Sequence, residues 1–318
     1  MNRIAFAFCS IVALSGAATA QELSIATGGT GGTYYPYGSG FAQVIERHIE
    51  GTSVTVEVTA ASVENLALLT RGETDIILAA ADAVKNAVEG LDAFEGRRVD
   101  NIAALGALYA NVVQIAVLEE RGIQSLDDLR NKRLSVGAPG SATELTSRRM
   151  LELQGITYEE VGAQRLSYTE SVDAMRDGSL DAAVILAAPP ASSVIALAAG
   201  QDISILPLTQ EEVDRIVESD SAFAPYVLRA GTYDGQDEDV LTFSTPNMLL
   251  VNDAMDEELA YQITRVLFEY TQEIVAVHPS AKETTVEFSL ASSTVPLHPG
   301  ARRYYEEVGA EIPARLLP

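Results

Sequence analysis

Two glycine-rich turns hold most of the residues whose type and spacing could do chemistry. The first, "LSIATGGTGGTYYPYG", spans residues 23–38 and sets Gly28, Gly29, Gly31 and Gly32 among Thr27, Thr30 and Thr33, just before Tyr34 and Tyr35. The second, "RLSVGAPGSATEL", spans residues 133–145 and places Gly137 and Gly140 before Ser141 and Thr143. Each reads as a strand running into a turn and then a helix, which aims the spare N–H groups of a helix N-terminus at an anion. Glycine lets such a turn take positive φ or approach a ligand closely. Two turns of this kind facing each other would hold both ends of one small anionic molecule. Each hydrogen bond to a charged group is worth roughly 1.5–3 kcal/mol net. Three or four reach micromolar affinity, about −8.2 kcal/mol, after association costs. Ser141 also suits an N-cap position, a role compatible with touching a ligand.

Other chemistries lack their residues. The run Gly28-Gly29-Thr30-Gly31-Gly32-Thr33 has no lysine with which to reach a phosphate as a P-loop does. A dinucleotide fingerprint begun at Gly29 needs glycine where Tyr34 stands, and no G-x-S-x-G nucleophile turn occurs. The histidines, His48, His278 and His298, show no zinc-ligand spacing. Acidic pairs such as Asp127-Asp128 and Glu306-Glu307 read as solvated faces, and catalysis is not expected.

The chain has 318 residues and a formal charge of −24, from 45 acidic and 21 basic side chains. That balance argues against nucleic acid, which demands a basic surface. It also opposes the approach of an anion, so an anionic ligand would need local donors and screening salt. Residues 1–20 combine Arg3, an apolar run and the small triplet Ala18-Thr19-Ala20. This is the pattern of a secretory signal peptide, with cleavage expected after Ala20 and export of the mature chain. Cys9, the one cysteine of the sequence, would leave with it, removing disulfide and thiolate chemistry.

The elements that must position the two turns follow from periodicity. Strands are expected at 23–26, 54–59, 75–79, 102–108, 112–118, 134–137, 182–187, 203–207 and 241–251. Helices are expected at 37–49, 63–71, 83–88, 142–154, 170–177, 191–199, 210–219 and 257–277. This alternation predicts an α/β fold built of βαβ units with mixed, mostly parallel sheets. The run "NIAALGALYANVVQIAVLEE" reads as two strands broken near Tyr109-Ala110-Asn111. With "DVLTFSTPNMLLVN" it would carry the chain into a second lobe and back. Lobe one would comprise 21–110 plus 244–318 and lobe two 111–243, with a ligand cleft between them. Nothing in the sequence signals an oligomer, and a monomer is expected.

Four segments, in order along the chain, resemble the TAXI-type solute receptors of TRAP (tripartite ATP-independent periplasmic) transporters. They are the loop from Thr27 to Gly38, "SVENLALLTRGETDI", "GAPGSATE", and "VPLHPGARRYYEEVG" with His298, Pro299, Gly300, Ala301 and Tyr304 matching. The resemblance implies a periplasmic destination and a two-lobed, type II periplasmic-binding-protein fold that captures a small organic anion and delivers it to an ion-gradient-driven permease. Its implied ligands are carboxylates such as glutamate and 2-oxoglutarate, with presentation to a membrane sensor kinase as an alternative role. Carried over by position, Thr30, Gly32, Thr33, Tyr34 and Tyr35 would line one side, and Ser62 and Asn65 would join them. Gly140, Ser141 and Thr143 would bind from the second lobe. His298 and Tyr304 read as structural, because a C-terminal segment often packs on the outside of a lobe. Two departures stand out: Ala142 replaces a glycine of the second turn, and Ala80 and Ala81 stand where the family often has glutamine and serine. The latter implies a pocket less polar at that end, and a ligand there without an amino group.

Overall fold

A computed structural model describes residues 21–317; the expected signal peptide lies outside the described residues. The chain opens with β1 (Gln21–Ala26), α1 (Tyr34–His48), β2 (Thr52–Glu57), α2 (Ser62–Thr70), β3 (Ile76–Ala80) and α3 (Ala81–Glu89). β4 (Ile102–Leu118) then carries the chain across the molecule. Beyond it come β5 (Arg133–Ser135), α4 (Ala142–Leu153), β6 (Gly162–Gln164), α5 (Tyr168–Arg176) and β7 (Ala182–Ala187). α6 (Ser192–Ala198), β8 (Ile203–Ile205), α7 (Gln210–Ser219) and β9 (Ala224–Leu228) complete that half. β10 (Val240–Asn252) returns, followed by α8 (Glu257–Glu269), α9 (Thr271–Val275), α10 (Val286–Ser292) and α11 (Pro299–Glu307).

The strands form one sheet in the order β2-β1-β3-β10-β4-β7-β5-β6, with β8 on β4 and β9 on β10. It is mixed rather than mostly parallel. Pairing is parallel at both ends, where βαβ units build β2-β1-β3 and β7-β5-β6. It is antiparallel through the centre, because the chain leaves by β4 and comes back beside it on β10. The break expected near Tyr109-Ala110-Asn111 is absent. β4 is one 17-residue strand because β10 supplies partners across that stretch, pairing Thr245 with Asn111 and Pro246 with Ala110. Neighbours change along β10: β9 pairs with residues 240–244 and β3 with residues 247–251. Pro246 sits in the gap, where a residue without an N–H disturbs the ladder least.

Other elements shift for local reasons. α1 starts at Tyr34, three residues earlier than expected, since Pro36 falls in the first turn, where its missing N–H costs nothing. The helix expected over 257–277 divides at Tyr270. There the Thr271 hydroxyl donates to the Leu267 and Phe268 carbonyls, a back-bond that bends helices. The C-terminal motif is packing. His298 caps α11, its Nδ1 accepting from the Gly300 N–H while Nε2 meets the Met255 carbonyl. Tyr304 stacks on Phe268 at 5.6 Å between ring centroids.

Asp82, in the first turn of α3, is buried between the two halves and accepts from the Thr146 hydroxyl of α4 at 2.8 Å. Burial pushes its carboxyl up to about 6 from an ordinary 3.8. Lys85 and Arg149 beside it both pair with Asp220, at 2.9 and 2.6 Å.

Two outcomes follow from this packing. A Cβ on Gly300 would lie 2.2 Å from the Glu257 carbonyl oxygen and 2.5 Å from the Tyr261 nitrogen, both backbone atoms of α8. Gly300→Ala should therefore cost about 1–3 kcal/mol, read as a melting temperature lowered by several degrees in circular dichroism; unchanged melting would contradict the contact. Asp82 keeps its proton in the folded chain between pH 3.8 and about 6 while the unfolded chain releases it. Its contribution is thus fully present below pH 3.8 and is lost as pH rises through 6. Asp82→Asn should gain on the order of 2–3 kcal/mol above pH 6 and almost nothing at pH 3.5. An equal change at both pH values in thermal melts would exclude this carboxyl as the titrating group.

Candidate functional site

A cavity of about 80 Å³ lies between the two halves, beside the middle of β4. From the first half it takes Gly28, Gly29, Gly32, Thr33 and Tyr34, then Thr59 to Ser62 at the start of α2. The second half contributes Ala138, Ser141, Ala142, Thr143, Tyr168 and Leu186, with Ser167 beside them. Asn111 of β4 is also part of the wall. The two glycine turns face each other across this space. No lysine, arginine or carboxylate is among its lining residues.

Three helices begin at this wall: α1, α2 and α4. The opening N–H groups of a helix have no partner inside it, and together with the helix dipole they favour negative charge. α1 and α2 receive no side-chain cap at all. α5 also starts here, but Ser167 and Glu170 close its terminus with a reciprocal capping box. The N-cap of α2 is Ala61, held at φ 80°. That backbone region disfavours residues with a Cβ, and such strain gathers at ligand clamps.

Backbone contacts tie the two halves together around the rim. The Gly140 carbonyl of the second turn accepts from the Val63 and Glu64 N–H groups of α2, at 3.1 and 3.2 Å. Gly140 has φ +82°, which turns that carbonyl across the gap. The Gly31 carbonyl accepts from the Ser193 N–H and the Ser192 hydroxyl. A Cβ on Gly32 would meet the Tyr168 ring at 3.1 Å, and one on Gly31 the Tyr168 Cβ at 3.3 Å. These two glycines are what lets the second half seat on the first loop.

The hydroxyls expected to bind ligand are mostly engaged with protein. Thr33 Oγ1 accepts from the Ala188 N–H at 3.1 Å, joining the halves. Ser141 caps α4 by accepting from the Glu144 N–H and donates to the Ala138 carbonyl. Thr143 pairs with the Tyr168 hydroxyl at 2.7 Å, and that hydroxyl donates to the Leu186 carbonyl. Ser62 Oγ accepts from the Ala80 N–H and faces the Tyr34 hydroxyl at 3.3 Å. Tyr34 donates to Asn247 Oδ1. Burial raises the Tyr34 hydroxyl far above its ordinary range and the Tyr168 hydroxyl above it, and keeps both neutral.

Gly32, Thr33, Tyr34, Ser62, Ser141 and Thr143 thus line the cavity, while four other expected residues do not. Thr30 is exposed at the loop tip, and Tyr35 is half-buried on the outer side of α1. Asn65 is fully buried in structural work, its Nδ2 donating to the carbonyls of Ala26, Thr27 and Leu78. Gly140 acts through its carbonyl at the rim. Ala80 and Ala81 are buried and are not among the lining residues, and the Ala80 N–H supports Ser62 of the wall from behind. Sequence reading missed Asn111, Tyr168 and Thr59; Asn111 lay inside the supposed strand break, and no local pattern marks the others.

Solved structures resemble this fold at low identity. An alkanesulfonate-binding protein from Xanthomonas axonopodis pv. citri, bound to MOPS, matches with TM-score 0.50 and 16% identity, covering 95% of this chain and 96% of its own. PhnD1 from Prochlorococcus marinus, in complex with methylphosphonate, matches with TM-score 0.54 and 9% identity, over 92% of this chain and 100% of its own. A putative L-cystine ABC transporter protein from Listeria monocytogenes gives TM-score 0.51 and 13% identity, over 86% and 100%. At such identities the likeness speaks for the fold, that of two-lobed periplasmic binding proteins. A family match covers residues 25–309, nearly all the described chain, and the protein belongs to the NMT1-like family.

Proposed function

We propose that this protein is a periplasmic solute receptor that closes two lobes, 21–110 plus 244–318 and 111–243, on one small organic anion and hands it to a membrane permease. The observation that carries this reading is the meeting of three helix N-termini, from both lobes, on one cavity without a charged side chain. Dipolar donors of this kind hold an anion without the desolvation cost of a buried cation. The binding donors are the N–H groups of Tyr34, Ser62, Ala142 and Thr143 together with the hydroxyl of Ser62, while the Thr143 hydroxyl is spent on Tyr168. Thr33 and Ser141 hold the walls, and the reading is one of binding rather than catalysis.

The cavity also speaks to size. A dry cavity of about 150 Å³ accepts benzene, and the present one is about 80 Å³. A cavity of this size suits small acids with a carboxylate, sulfonate or phosphonate head. The sequence resemblance favours delivery to a TRAP-type permease. Uptake that survives ATP depletion but fails when the ion gradient is collapsed would support it, and the reverse would favour an ABC permease.

Binding should stabilise and compact the protein. A ligand at 100 times its Kd adds about 2.7 kcal/mol, a rise of several degrees in a thermal-shift screen of small carboxylates, sulfonates and phosphonates. Small-angle scattering with the best hit should give a smaller radius of gyration than the protein alone. Shifts confined to neutral sugars or cations, or an unchanged radius, would overturn the reading.

A further inference from the structure

β4 and β10 cross between the lobes carrying buried polar side chains at their midpoint. Asn111 and Thr245 face each other in register, and Asn247 lies beside them. The three are at most 2% exposed. Asn111 Nδ2 donates to Asn247 Oδ1 at 2.6 Å, and Tyr34 donates to the same oxygen. Because an amide is planar, fixing Nδ2 on Asn247 turns Oδ1 of Asn111 the other way. Among the described residues that Oδ1 has no hydrogen-bond partner, as Asn247 Nδ2 and Thr245 Oγ1 beside it have none, and of the three residues Asn111 is the one that is part of the cavity wall. A buried acceptor left unmatched costs free energy, and native proteins pair such groups.

We infer that Asn111 is a specificity-determining residue: its Oδ1 accepts a hydrogen bond from an O–H or N–H group that the ligand carries beside its anionic head. The class selected is the small 2-hydroxy or 2-amino acid and its sulfonate counterparts, over matched acids with hydrogen or an oxo group there. This rests on the reading of the cavity as an anion receptor. Asn247 and Tyr34 are positioning residues that hold the Asn111 amide. The discrimination comes from the unmatched acceptor. A ligand without a donor leaves Oδ1 buried and unpaired, a penalty that lets polar sites reject such analogues strongly. An oxo group is worse, because it sets acceptor against acceptor. Asn111 is on a crossing strand, so the contact forms at the hinge itself.

The test is calorimetric titration of the full mature protein with two matched series. One is lactate, alanine, propionate and pyruvate; the other is aminomethanesulfonate and methanesulfonate. The expected result is at least tenfold tighter binding of a donor-bearing member than of its partners without a donor. Asn111→Ala should bring the members of a series within about threefold of each other, with affinity for the donor-free acid little changed. Equal binding of propionate and lactate, or a preference for pyruvate, by the wild-type protein overturns the inference and needs no variant. So does an Asn111→Ala protein that weakens every member equally. Both results leave the anion-receptor reading standing, whereas no binding by any of these acids overturns both.

Discussion

Backbone N–H groups that no helix can satisfy internally are the constraint around which this site is organised. Buried donors must be paired, and here the opening turns of α1, α2 and α4 meet at one place without charged side chains. Part of the demand is met by protein. Gly140 serves α2, and Ser141 serves α4. The remainder defines a small pole of positive potential inside a chain whose formal charge is −24. A local pole in an acidic molecule selects by geometry rather than by long-range attraction, since charges further than about 8–10 Å are screened at physiological salt.

The same contacts that answer those donors also hold the lobes together. Gly140 reaches α2, Gly31 reaches α6, and Thr33 reaches Ala188, so each rim of the cavity is stitched by backbone groups. Asp82, Lys85 and Arg149 extend the contact away from the cavity: Asp82 accepts from the Thr146 hydroxyl, and both cations pair with Asp220.

Much of this was legible in the sequence where the signal was local. The alternation of strands and helices gave the α/β class, and the glycines at 28–32 and 137–140 marked two turns that do face each other. What was not legible depended on partners distant in sequence. β4 looked interrupted at Tyr109-Ala110-Asn111, because polar residues in an apolar run read as a turn until β10 is seen beside them. The parallel expectation failed at the sheet centre for the same reason. Among the site residues, Asn65 has the right polarity and the wrong direction, spent on three carbonyls of its own lobe. Thr30 carries a hydroxyl but points to solvent, and Tyr168 seats on Gly32 only once both lobes are in place.

The central claim is that backbone donors from both lobes hold one anion. Amide proton shifts of isotopically labelled protein, followed during titration with the acid giving the largest thermal shift, test it most directly. The account predicts that the amide resonances of Tyr34, Ser62 and Thr143 move downfield together along one saturation curve. Saturation with those three resonances unmoved, or with only one lobe responding, would contradict it.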